Sequence, residues 1–201
     1  EKKFTKKLKN IYEAIKITRE NLHKDKSLIS FIGAPWTLLI YMLNLKNDKN
    51  EINLNKLNNK NLEINQIIND LNKYLCIHIK KQVDAGADVV QIFDSWAGLI
   101  PEKDINYYCF LPNLEIVKFC KNLGIPNICF PKGIGERYKD FKEIVKPDCI
   151  SLDSEVDPVW ARNNLKNVII QGGLDPKVLF RSDDEIFKAA TKYIQTFKDT
   201  P

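Results

Sequence analysis

Several things are scarce in these 201 residues, and each scarcity closes a class of function. No apolar run reaches the roughly 18 residues that a membrane-spanning helix needs, and the lysine-rich start is not followed by the apolar stretch of a signal peptide. The expectation is a cytoplasmic protein with no membrane partner. The five cysteines (Cys76, Cys109, Cys120, Cys129, Cys149) are odd in number, scattered and without a Cys-x-x-Cys pair. That pattern argues against a disulfide framework and a zinc ribbon and leaves them as small buried hydrophobes. There are two histidines. His23 falls near a helix end and reads as solvated. His78 and Cys76 look like a metal pair, but residues two apart on a helix point about 200° away from one another, so no metal site is expected. Neither G-x-G-x-x-G nor a Walker sequence occurs; the nearest stretch, Gly133-Ile134-Gly135, continues wrongly for phosphate binding.

Arginine is scarce too, with only Arg19, Arg137, Arg162 and Arg181. The formal charge of +5 therefore rests on lysine, and it is unevenly placed. Residues 1–81 carry 16 Lys and Arg against 8 Asp and Glu, a balance of +8, while residues 82–201 carry 15 against 18, a balance of −3. Nucleic-acid surfaces favour arginine forks and interleaved aromatics. Lysines mixed with asparagines read instead as a solvated face, and no nucleic-acid partner is expected.

What is present is organised around residues 83–100, VDAGADVVQIFDSWAGLI. A helix end turns through Ala85-Gly86-Ala87 into Val89–Phe93, a short apolar run of the kind that forms a buried parallel strand. The run stops at Asp94-Ser95-Trp96-Ala97-Gly98. In α/β sheets the carboxyl end of the strands is where ligands bind. Four further strands line up with this one: Leu28–Ile32, Asn127–Phe130, Cys149–Leu152 and Val168–Ile170, each ending in Gly, Pro, Asp or Ser.

Helical periodicity fills the intervals. Residues 4–23 predict one amphipathic helix, and another starts near Pro35, which suits a first helical turn. Residues 44–62, rich in Asn and Lys, read as a surface excursion or irregular helix. A long helix covers Ile64 to Ile79, and a helical region around Tyr107–Phe119 is interrupted at Pro112 and stops at Gly124. Shorter helices follow at Tyr138–Val145 and Val159–Leu165. Ser182 caps a final helix with Asp183, Asp184 and Glu185 in its first turn. With 44% hydrophobic residues the chain supports one core. Late strand starts lie 22 and 19 residues apart, the pace of a (β/α) barrel, whose full form needs eight strands and about 250 residues. An open doubly wound sheet fits the same pattern. The chain begins without methionine and stops just after a helix, so it reads as a single barrel domain, residues 1–201, incomplete at both ends.

Taken together, the strand-end sequences resemble the uroporphyrinogen decarboxylase family. Phe31-Ile32-Gly33-Ala34-Pro35-Trp36-Thr37, with Tyr41-Met42, is similar to its GAPWT-x-x-x-YM stretch. Gln91-Ile92-Phe93-Asp94-Ser95-Trp96-Ala97-Gly98 resembles its QIFDSWAG stretch, and Leu152-Asp153 and Gln171-Gly172-Gly173-Leu174-Asp175-Pro176 resemble two more. Gly173 departs from the pattern, standing where the family usually has asparagine. The resemblance implies an α/β fold, a (β/α)8 TIM barrel of which the third to seventh strands are present. It also implies a homodimer and a cofactor-free loss of CO2 from the acetate side chains of uroporphyrinogen III to give coproporphyrinogen III.

The resemblance makes Tyr41 and Ser95 substrate contacts and brings Phe31 to the pocket floor. On the residues alone, Tyr41 reads rather as an amphipathic core tyrosine, Ser95 as a hydroxyl just past a strand on the ligand face, able to donate to a carboxylate, or as a helix cap, and Phe31 as a ring at the pocket floor or a core phenylalanine. Trp36 and Trp96 read as rigid packing that shapes the loops. Asp94, Asp153 and Asp175 read as loop-fixing carboxylates, Asp153 being the one most suited to face the pocket. No catalytic residue is assignable, because the family's Arg-containing loop, its pyrrole-binding aspartate and its GHG-like histidine fall outside residues 1–201. Two rival readings remain at this stage. One is a zinc-dependent, cobalamin-linked methyltransferase of the same barrel superfamily, whose His-x-Cys pair is here Asn127-Ile128-Cys129. The other is an inactive barrel fragment serving as a scaffold.

Overall fold

A computed structural model describes residues 1–45, 57 and 61–198. Five strands form one sheet: β1 (Ile29–Gly33), β2 (Val89–Asp94), β3 (Asn127–Pro131), β4 (Cys149–Leu152) and β5 (Ile169–Gly172). All neighbours are parallel and their order in the sheet is β1-β2-β3-β4-β5. A doubly wound sheet reverses direction at a switch point, giving orders such as 2-1-3-4-5, so this strictly sequential order is that of barrel winding. The helices obey it as well. Around the sheet run α1 (Lys2–Lys7), α2 (Lys9–Asn21), α3 (Pro35–Met42), α4 (Asn61–Asp84), α5 (Leu111–Asn122), α6 (Tyr138–Val145), α7 (Pro158–Asn164) and α8 (Asp183–Thr196), with α3, α4, α5 and α6 each packed on the next.

The core lies between these helices and the outer face of the sheet. Ile32, Val90, Ile92, Cys129 and Ile150 alternate outward along their strands and are buried against Leu39, Ile40, Ile79, Ile116, Val117 and Phe141. Each such side chain contributes roughly 1.5–3 kcal/mol by leaving water. The other face is concave and more open. It carries Ile29 and Phe31 of β1 and Ile169 of β5, all about half exposed or more. Phe31 is level with Gln91, which pairs in turn with Ile128.

Three details differ from the sequence reading. The opening helix is two, because Leu8 adopts φ −97°, ψ 7° between α1 and α2. Their stripe of Phe4, Leu8, Tyr12 and Ile15 is only half-buried against α4, where the Phe4 ring lies tilted at 5.0 Å from Tyr74 and Tyr12 shares a 3.1 Å hydrogen bond with His78 Nδ1. Most of the 44–62 excursion lies outside the described residues, but Leu45 and Leu57 within it are buried. Pro112 does not break the helix around it. A π-helical turn, Asn106–Phe110, precedes α5, and Pro112 sits in the first turn of α5, where its missing N–H needs no partner. At the far end Glu185 accepts hydrogen bonds from both the backbone N–H and the hydroxyl of Ser182, the cap read from the sequence.

Candidate active site

The loops that leave the carboxyl ends of the strands are tied to one another in series. Pro35 opens α3 directly after β1, so Trp36 and Thr37 fall in its first turn, both buried. Trp36 stacks on Tyr108 at 5.4 Å and donates its indole N–H to the carbonyl of Trp96 (3.1 Å). Thr37 Oγ1 donates to Asp94 Oδ1 at the end of β2 (2.9 Å). The β2 loop continues the belt: Gly98 N–H donates to the Lys132 carbonyl (2.9 Å), while Lys132 N–H donates to the Asp94 carbonyl (3.1 Å). Asp153 then joins the β3 loop to β4, accepting from the Gly133 N–H (2.7 Å), the Tyr138 hydroxyl (3.2 Å) and the Glu155 N–H (3.0 Å). Asp175 caps the turn after β5 by accepting from the Lys177 N–H (2.9 Å).

Asp153 and Asp175 are thus engaged by groups of the turns around them, as their positions suggested, whereas the Asp94 carboxylate is held by Thr37 on α3 and Asn113 on α5. Asp153 is 6% exposed and its oxygens are occupied, so it does not present a free carboxylate to the concave face. Asp94 is buried among the helices, and burial pushes its carboxyl up to about 6 against the opposing pull of hydrogen bonds from Thr37, Cys109 and Asn113. Burial, followed by the Asp153 charge, raises the Tyr138 hydroxyl and keeps it a donor.

The sequence-selected residues fall as follows. Tyr41 is on the last turn of α3, 56% exposed, its ring edge-on to Trp96 at 6.4 Å. Ser95 is half-buried in the loop beside that tryptophan, and its hydroxyl has no hydrogen bond to another described residue. Phe31 is 66% exposed on the concave face, edge-on to Phe93 at 5.9 Å. Phe93 in turn meets Phe130 edge-on at 6.0 Å. The sequence reading named one ring of this three-ring row. Period-two alternation within β2 and β3, which puts Gln91 with Phe93 and Ile128 with Phe130, would have found the other two. Phe31 also borders a cavity of about 710 Å³ between α2, α4 and β1, which neither Tyr41 nor Ser95 reaches. That cavity is lined mainly by apolar side chains and lies apart from the strand-end loops.

A sequence model of the family described as Uroporphyrinogen decarboxylase (URO-D) matches residues 1–201, the whole chain. The chain belongs to the uroporphyrinogen decarboxylase family. A uroporphyrinogen decarboxylase of Orientia tsutsugamushi (strain Boryong) is 39% identical over 186 residues, covering 90% of this chain and 54% of that protein. Those of Cereibacter sphaeroides (strain ATCC 17025 / ATH 2.4.3), 32% identical over 200 residues, and of Jannaschia sp. (strain CCS1), 34% over 198, cover 97% and 96% of the chain and 58% of each relative. The chain therefore spans somewhat more than half the length of these curated relatives, and the five sequential parallel strands are part of the TIM barrel of the uroporphyrinogen decarboxylase family.

The methyltransferase reading loses ground on geometry. Asn127 opens β3 at its amino end, fully buried, with its backbone N–H bonded to Asp148 (3.0 Å) and its amide to the same carboxylate. Cys129 points to the helix layer, and burial holds its thiol well above the ordinary range, so it stays protonated. Among the described residues no three His, Cys, Asp or Glu side chains converge as a metal site, and no helix is long and apolar enough to cross a membrane.

Proposed function

We propose that the protein to which this chain belongs removes CO2 from the acetate side chains of uroporphyrinogen III, giving coproporphyrinogen III, in the cytoplasm and as a homodimer. The observation that carries this reading is the placement of Tyr41 against the Ser95–Trp96 loop at the carboxyl edge of a sequentially wound sheet. Two hydroxyls there have no competing partner among the described side chains, next to an aromatic row on the concave face.

In each decarboxylation a pyrrole ring is protonated on carbon. The bond between the acetate methylene and its carboxylate breaks, CO2 departs, and the electron pair flows into the protonated ring. Protonation of the methylene then leaves a methyl group, and the ring gives up its proton. No cofactor is required as electron sink, since the ring serves. The substrate carries carboxylates on every ring, and hydroxyl donors to such groups are each worth roughly 1.5–3 kcal/mol. Tyr41 and Ser95 bind and orient in this scheme, and the row of Phe31, Phe93 and Phe130 gives the macrocycle an apolar floor. The cationic and acidic groups that drive the chemistry are those the family resemblance places outside residues 1–201.

Steady-state kinetics of the full-length protein test the assignment. Tyr41→Phe and Ser95→Ala each remove one donor and are expected to raise KM for uroporphyrinogen III about tenfold, the equivalent of one hydrogen bond to a charged group. Wild-type KM in both variants would remove these residues from the site. A folded full-length protein with no turnover would favour the scaffold reading.

A further inference from the structure

We propose that Asp94 is a positioning residue that holds Tyr41 and Ser95 as one unit without touching substrate. The inference rests on the decarboxylase reading given above. Alternation along β2 sends the Asp94 side chain to the helix layer, where it is 1% exposed, so it cannot meet a ligand on the concave face. Its two oxygens are divided between two elements. Oδ1 accepts from Thr37 Oγ1 on α3 (2.9 Å), and Oδ2 accepts from Asn113 Nδ2 on α5 (3.2 Å). The same Asn113 amide donates to the Cys109 carbonyl (2.8 Å), which anchors the fork to the π-helical turn.

The consequence lies in what is attached to each prong. Thr37 precedes Tyr41 by four residues, one helical turn, so the bond that fixes Thr37 fixes the rotation of α3 and with it the face that carries Tyr41. Ser95 is the next residue after Asp94. A second brace runs in parallel, from Trp36 Nε1 to the Trp96 carbonyl (3.1 Å), and Trp96 is the ring against which Tyr41 rests. The two substrate hydroxyls are therefore referenced to one carboxylate, one through the chain and one through a helical turn. A buried carboxylate faced only by neutral donors is a costly way to fill core volume. A fork that spans two helices and a strand end at once is what an apolar side chain cannot supply. The groups facing it are the Thr37 hydroxyl from α3, the Asn113 amide from α5, and the thiols of Cys109 and Cys129, which burial keeps protonated.

The test uses the full-length protein with uroporphyrinogen III as substrate. Asp94→Asn places an amide against the Asn113 amide and breaks one prong; Thr37→Val breaks the other, while Thr37→Ser retains the hydroxyl. Asp94→Asn and Thr37→Val are expected to raise KM about tenfold with kcat within about threefold of wild type, and Thr37→Ser to restore the wild-type KM. Adding Tyr41→Phe to Thr37→Val should cost much less than Tyr41→Phe alone, because the displaced tyrosine no longer binds. An active wild type whose KM is indifferent to Asp94→Asn and Thr37→Val overturns the inference alone. So do equal losses in Thr37→Ser and Thr37→Val, or additive effects with Tyr41→Phe. A wild type with no decarboxylase activity overturns the functional reading and this inference together.

Discussion

The hydroxyl oxygen of Tyr193 on α8 lies where the β-carbon of any residue other than glycine at position 173 would sit: the two are 1.9 Å apart, with the Tyr193 Cζ at 2.8 Å. Gly173 itself has φ +89°, a left-handed conformation that side chains other than glycine adopt at a cost. The glycine and the tyrosine therefore fit each other as a pair.

Gly173→Ala should therefore lower stability by about 2 kcal/mol or more, combining backbone strain with overpacking. The Tyr193 hydroxyl is buried without a hydrogen-bond partner among the described residues. Tyr193→Phe is thus expected to be neutral or stabilising alone, and to recover part of the Gly173→Ala loss in the double variant. Thermal melts of the four proteins measure this. A Tyr193→Phe variant less stable by about 2 kcal/mol would mean that the hydroxyl has a partner.

Gly98 offers a stricter contact. A β-carbon there would stand 2.5 Å from the Gly133 carbonyl oxygen and 2.7 Å from its carbon, backbone that no rotamer change can move away. The same two loops are joined by the Gly98 N–H bond to Lys132. Gly98→Ala should separate the β2 and β3 loops, costing on the order of 1–3 kcal/mol of stability and displacing Ser95, so that KM rises as well. A Gly98→Ala protein with wild-type melting temperature and KM would contradict the loop belt.

Asp94 gives a pH dependence with a defined sign. Its folded carboxyl is pushed up to about 6 from an ordinary 3.8, so between those values the folded protein holds a proton that the unfolded chain releases. The associated stability is complete below the lower value and is lost as pH rises through the upper one, on the order of 3 kcal/mol in all. Denaturant unfolding of wild type and Asp94→Asn from pH 4 to 7 isolates it, since other titrating groups are common to both. The difference between the two should move against wild type as pH rises. A flat difference would contradict the buried, cation-free setting of Asp94.

Much of the fold was legible because its signals are local. Each strand is a short apolar run closed by a turn residue, and four of the five strands were bounded to within about one residue at both ends, the last ending two residues later than its apolar run. Gly124, Ser182 and Pro35 announced helix ends for reasons that need no tertiary partner. Sheet order was not legible from periodicity, since nothing within a strand tells which strand it pairs with; the family resemblance, not the residue pattern, pointed to barrel winding. The break at Leu8 and the burial of Leu45 and Leu57 were hidden for the same reason. Tyr41 and Ser95 stood out through their motifs, whereas Phe93 and Phe130 needed the face each strand turns inward. The Asp94 fork joins residues 19 and 57 positions apart and exists only in the folded chain.

The central claim is tested most directly by incubating the full-length wild-type protein anaerobically with uroporphyrinogen III, without added metal or cofactor, and identifying the products. The account predicts CO2 and coproporphyrinogen III, with partly decarboxylated intermediates appearing first and disappearing. Recovery of unchanged uroporphyrinogen III from a folded protein would contradict it.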